Sequence, residues 1–205
     1  MMPTWKSFWF LYFCLILSSS NLFGQDTLVL IDRKPILISS SRVENDYVYY
    51  VKAGRKREKK IEQDKVYSHR SKGKPDQIYY KQDTLENNWY TAEQMAFYIN
   101  GQVDARNGYL KQARKTGSGG MMFGFAGAAA GMFYGPLFVI GYTAWKGYTL
   151  PKFTAENGYN QAYIDNPYYK EGFGTTAKRM VTKRSAAGSA AGYILGVVTL
   201  TLVLN

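Results

Sequence analysis

The chain has little of what most enzymes and metal sites are built from. Its 205 residues include one cysteine and one histidine. Cys14 lies inside an N-terminal apolar run, so the remainder holds no disulfide and no thiolate metal site. His69 alone cannot make the usual zinc sites or most nucleophile–histidine pairs. No Ser/His/Asp order, phosphate-binding glycine loop or metal-ligand spacing is present. Gly117-Ser118-Gly119-Gly120 lacks the Lys and Ser/Thr that complete a nucleotide loop. No catalytic, cofactor-binding or metal-ligating residues are therefore expected, and no cofactor. Asp104, Asp165 and Glu171 read as caps and as charge balance for Arg106 and Lys170. Negative charge is scarce as well: 15 acidic residues face 26 Lys and Arg, for a net charge of +11. Such a surplus points to anionic partners, or to the cations that fix membrane topology.

What is present in quantity is apolar sequence in runs. Residues 1–24 carry Lys6, an apolar stretch from Phe8 to Leu17 and then Ser18, Ser19 and Ser20, the layout of a signal peptide. Cleavage after Gly24 is one outcome and an uncleaved anchor the other. Phe13 stands where a lipoprotein cysteine needs a small neighbour. Residues 121–145 and 186–204 are charge-free runs of 25 and 19 residues. Either is long enough for about 30 Å of hydrocarbon, so two membrane segments are expected, 117–150 and 186–205. Each carries glycine every fourth residue: Gly127, Gly131 and Gly135 in the first, Gly188, Gly192 and Gly196 in the second. Small residues at that spacing let helix backbones approach closely in lipid, so these six are the expected helix-packing residues. Gly135-Pro136 should kink the first segment.

Between the leader and the first run, residues 25–90 read as an exported β domain. Short β-favouring stretches at 27–31, 36–43, 47–51, 57–61, 66–69 and 77–81 are separated by turn signals such as Glu44-Asn45-Asp46 and Ala53-Gly54-Arg55. That spacing predicts a small barrel or curled sheet of SH3-like or Sm-like kind. Residues 91–116 follow as an amphipathic helix, opened by a Thr91/Gln94 capping box. The expected class is an α+β membrane protein: a small N-terminal barrel or curled sheet, amphipathic helices and two glycine-zipper transmembrane helices.

The charge pattern adds topology. The connection 146–185 has seven basic and three acidic residues, which places it in the cytoplasm, opposite the exported domain. Its second half, 167–185, starts with Asn166-Pro167 and reads as a helix with an apolar stripe and a basic side. Lys178, Arg179, Lys183 and Arg184 are thus candidates for contact with an anionic surface, as are Lys52, Arg55, Lys56 and Arg57 in the basic hairpin. Export argues against nucleic acid as a partner. Gly108-Tyr109-x-x-x-Ala113-Arg114-Lys115 repeats as Gly172-Phe173-x-x-x-Ala177-Lys178-Arg179. With one crossing each, the two units would be inverted relative to each other.

Phe23-Gly24-Gln25, the strand-rich start 26–43, Asp104-Ala105-Arg106 through Tyr109, and Pro167-Tyr168-Tyr169-Lys170-Glu171-Gly172-Phe173 ahead of a glycine-rich run belong together. In that order they resemble small envelope proteins of the Bacteroidota. The resemblance covers most of the chain. It implies a Gram-negative envelope and carries no catalytic residues over. The expectation is a non-enzymatic protein of the inner membrane with its N-terminal domain in the periplasm. Membrane lipid and an envelope protein or cell-wall component are its expected partners. A glycine-zipper homo-oligomer acting as a pore or transporter component is the alternative, and an enzyme acting on membrane lipid a more distant one.

Overall fold

The structure is a computed structural model that describes residues 26–84, 88–149 and 151–204. The leader expected at 1–24 lies outside the described residues. The chain divides into two compact units, the first ending at Tyr80 and the second beginning at Lys81.

The first unit is an antiparallel sheet of β1 (Asp26–Leu30), β2 (Ile36–Glu44), β3 (Tyr47–Lys52), β4 (Glu58–Glu62), β5 (Val66–Arg70) and β6 (Gln77–Ile78). The turns follow from sequence chemistry. Asn45 and Asp46 both have positive φ, 49° and 61°, the two-residue hairpin geometry whose twist matches the flanking strands. Period-2 alternation sends Leu28, Leu30, Ile38, Val48, Tyr50 and Val66 into one buried cluster. The strand order is β4-β3-β2-β1-β5-β6, so β4 and β6 end the row on opposite sides. The sheet is therefore open, which rules out the barrel among the two expected forms, barrel or curled sheet. Closure would need a pairing between those edges, and β6 is only two residues long. β4 reads Glu-Lys-Lys-Ile-Glu, a charged edge of the kind that resists pairing with another chain.

The second unit holds α1 (Ala92–Gly108), α2 (Leu110–Ala129), α3 (Gly131–Tyr148) and α4 (Pro167–Leu204). The Thr91 hydroxyl accepts from the Gln94 amide and the Gln94 side chain accepts from Thr91 N, so the capping box forms. The helical path runs on through Tyr109, which keeps right-handed backbone angles. α4 begins at Pro167, where the missing N–H is no loss. It continues unbroken for 38 residues, about 57 Å at 1.5 Å per residue. The second half of the basic connection, from Pro167, and the apolar run are thus one helix.

Two corrections concern the membrane segments. Among the described residues one helix, Pro167–Val203, is long and apolar enough to cross a membrane, where the sequence suggests two segments. The first run, 121–145, is divided between α2 and α3 at Ala130. Gly131 has φ +86°, a left-handed residue that ends α2, and the Ala130 N–H caps back onto Gly127 O and Ala128 O. The break falls at Gly131, while Pro136 sits inside α3. α3 then folds back: Gly127 meets Gly135 and Phe138, whereas Gly119 and Gly120 meet Tyr142. α2 and α4 instead run parallel, since Gly117, Met121 and Phe125 meet Gly188, Gly192 and Gly196 in turn. The repeated units are side by side in one direction and not inverted.

Candidate membrane-facing site

The base of the helical unit is an aromatic core. Tyr109, Tyr159, Tyr169, Phe173, Ala105 and Ala177 are buried together, with Phe97, Tyr163 and Val181 packed on them. Ring pairs Tyr159–Phe173 and Tyr109–Phe173 meet edge-on at 5.3 and 6.0 Å. The Tyr169 hydroxyl donates to Asp104 Oδ2 at 2.7 Å and accepts from the Asn160 N–H at 2.9 Å. The loop 151–166 is held by the same core: the Lys152 N–H donates to the Tyr109 hydroxyl, and Gly158 packs on Gly108 so closely that neither could carry a Cβ. Tyr90 packs on Tyr98 and Tyr168 beside this base. Burial, then a hydrogen bond to Glu171, raises its phenol above the usual tyrosine range.

Above Thr116 the packing changes character. Between α2 and α4 the contacts are made by backbone and small residues. A Cβ on Gly188 would collide with the Gly117 carbonyl, one on Gly192 with the Met121 carbonyl, and one on Gly124 with the Ser189 carbonyl. Gly196 lies against Ala128 and Phe125. α3 closes over them through Phe123 stacked on Tyr142 at 4.7 Å and through the Tyr142 hydroxyl, which donates to Thr116 O at 3.0 Å. Of the six glycines singled out by spacing, Gly188, Gly192 and Gly196 face α2, Gly127 and Gly135 face each other, and Gly131 makes the turn. Gly120 and Gly124, which the spacing sets one register away, are the α2 glycines nearest Ser185 and Ser189 of α4.

With small residues inside, the large apolar ones face outward. Met122, Phe133, Leu137, Ile140, Ile194 and Leu202 are all more than half exposed, Phe133 at 90%. Only 17% of the most apolar window of α4 is buried. A helix serving as the core of a water-soluble protein would have the reverse pattern. Trp145 and Tyr148 are exposed at the lower end of α3, with the Lys146 ammonium 4.1 Å above the Trp145 ring.

The cations take two places. Lys178, Arg179, Lys183 and Arg184 are exposed on α4, and the same unit exposes Lys111, Arg114 and Lys115 on α2. In the sheet unit, Lys52 and Arg55 line an open cleft of about 840 Å³ together with Arg33, Lys34 and Lys59, with no carboxylate in its lining. Lys56 and Arg57 are exposed nearby and do not line it.

One constellation was not legible in the sequence. Pairing of β1 with β5 brings Asp26 to His69 and Ser71. The Ser71 hydroxyl donates to Asp26 Oδ2 at 2.8 Å, and His69 Nε2 lies 3.1 Å from that same oxygen and 3.4 Å from Ser71 Oγ. The hydrogen bond from Ser71, then that from His69, outweighs partial burial and holds the Asp26 carboxyl below its usual range. A proton relay needs serine and carboxylate on opposite ring nitrogens. Here both meet Nε2, and the serine proton is committed to the carboxylate, so the group ties strand to loop. Among the described residues no cluster of three or more His, Cys, Asp or Glu could hold a metal ion. Compared with known protein families, with curated proteins and with solved structures, the chain has no match.

Proposed function

We propose that this chain is a non-enzymatic membrane protein of a Gram-negative envelope, anchored by its helical unit and presenting its sheet unit in the periplasm to a protein or cell-wall partner. The observation that carries the anchoring is the inverted packing of the upper helical unit, small residues within and large apolar ones without. Lipid tolerates that surface and water does not. The export half of the reading rests on the N-terminal signal pattern and on the resemblance to envelope proteins. The cleft of Arg33, Lys34, Lys52, Arg55 and Lys59 supports a partner with an anionic surface. Nucleic acid is not among the partners proposed, because of that same export.

The glycine rows bear on the oligomeric pore. Gly188, Gly192 and Gly196 are occupied within the chain by α2, so that row is not open to a second copy, which favours the anchor. Extraction of membranes with alkaline carbonate tests the anchor: the protein is expected in the pellet. Release into the supernatant would make the apolar end a soluble interface. Photo-crosslinking from Lys56 in intact cells tests the partner, with a discrete protein or wall adduct expected. Conductance of the reconstituted protein would restore the pore.

A further inference from the structure

We infer that the helical unit enters the bilayer from one face only. The α2–α3 hairpin dips in and returns, α4 enters beside it, and a collar of cations at their common entry level binds the headgroups of an anionic phospholipid leaflet. This rests on the membrane anchor proposed above and replaces the topology that the sequence suggests.

The level of each charge follows from helix register. Gly117 meets Gly188 and Met121 meets Gly192, a constant offset of 71 residues along two parallel helices. By that offset Arg114 and Lys115, the last charges of α2, stand within a turn of Lys183 and Arg184, the last charges of α4. α3 returns to the same height, since a Cβ added at Gly147 would meet the Thr182 hydroxyl at 3.4 Å, and Lys146 precedes it. Five cations from three helices thus form one ring. No carboxylate accompanies them: the sequence has no Asp or Glu between Asp104 and Glu156, and none after Glu171. None of the five forms an ion pair among the described residues. A ring of one sign without carboxylate partners among the described residues calls for external anions. Trp145 and Tyr148, exposed at this level, are the side chains that sit at headgroup depth.

Beyond the ring there is no charge, in 116–145 or in 185–205. α4 extends about 28 Å further, close to the hydrocarbon thickness, while the hairpin tip at Ala130 stands about 22 Å beyond the ring. A tip at that depth must satisfy its own backbone, and the Ala130 N–H does so on Gly127 O and Ala128 O. The 25-residue run that looks like a crossing is therefore a hairpin with both ends on one side. α1 and the loop 151–166 share that side.

The test uses the full chain with Cys14→Ser and one new cysteine, at Glu93 in α1 or at Thr154 in the connection. Expressed in Gram-negative cells with the outer membrane opened, the two variants are expected to react alike with an impermeant maleimide, both labelled or both protected. One labelled and one protected would mean two crossings and overturn the proposal. For the collar, protein with Trp5, Trp9 and Trp89 replaced by Phe is reconstituted in phosphatidylcholine vesicles with and without phosphatidylglycerol. Brominated phosphatidylglycerol is expected to quench Trp145 more strongly than brominated phosphatidylcholine. Gln at Arg114, Lys115, Lys183 and Arg184 together should cut that preference at least about tenfold. Equal quenching by the two lipids in the parent protein would overturn lipid binding by the collar. Protein that does not float with the vesicles would remove the anchor and this proposal together, whereas floating protein with opposite cysteine accessibility removes this one alone.

Discussion

At the base of the helical unit, Tyr109, Tyr159, Tyr169 and Phe173 point inward, the three tyrosine hydroxyls are bonded, and charged residues such as Lys170 and Glu171 face out. One helix length higher, glycines and serines lie inside, and Phe133, Leu137 and Leu202 face out. α4 runs through both regions without a break. The membrane anchor proposed above accounts for these opposite rules: the two halves of the same helix would meet different solvents. In water the drive to pack comes from removing large apolar surface. In hydrocarbon that drive vanishes, and close backbone contact takes its place.

The contrast is sharpest for two phenylalanines. Phe173 is fully buried and Phe133 almost fully exposed. Phe173→Ala is expected to cost about 3–5 kcal/mol in thermal unfolding of the detergent-solubilised protein, and Phe133→Ala less than about 0.5 kcal/mol. A comparable cost at both sites would mean that the upper end hides a second packed core.

Gly192→Leu should cost about 1–3 kcal/mol in the same assay, because the Met121 backbone has nowhere to move. Val198→Leu, on the exposed side of α4, should be tolerated. Equal behaviour would take the glycine contact out of the explanation. At the base, Tyr169→Phe removes the donor to Asp104 and the acceptor for the Asn160 N–H, for a loss of about 1–2 kcal/mol. If the loss is absent, the base rests on ring packing alone.

The smallest expected effect lies in the sheet unit, where polar contacts remain wet. Asp26 is held below its usual range in the folded state, so its contribution is present at neutral pH and above. It is lost as pH falls through the folded value. Asp26→Asn should flatten the fall of the sheet's thermal midpoint on acidification below the ordinary carboxylate range. An unchanged acid limb would mean that Ser71 and His69 contribute nothing through this group.

Local signals in the sequence carried the elements well. The strands fall within a few residues of the β-favouring stretches, and Thr91/Gln94 and Asn166-Pro167 mark helix starts because capping and the missing proline N–H are local chemistry. What stayed hidden depends on partners distant in sequence. Whether six strands close is decided by which edges meet, and no strand encodes that alone. The first apolar run hides its turn because Gly131 resembles the glycines around it; only its positive φ separates a turn residue from a packing residue. The cationic ring was legible on α4, but Arg114, Lys115 and Lys146 join it only once α2 is known to run parallel to α4 and α3 to return. The Asp26–His69–Ser71 group depends likewise on β1 pairing with β5.

The most direct test compares the two solvents. Nitroxides at Leu137, on the outside of the hairpin, and at Gln161, in the loop at the base, are placed in separate variants reconstituted in phospholipid bilayers. Collisions with dissolved oxygen and with a water-soluble nickel chelate are then compared. The label at Leu137 is expected to favour oxygen and exclude nickel, and the label at Gln161 to do the reverse. Nickel reaching Leu137 as readily as Gln161 would put the apolar end in water and contradict the account.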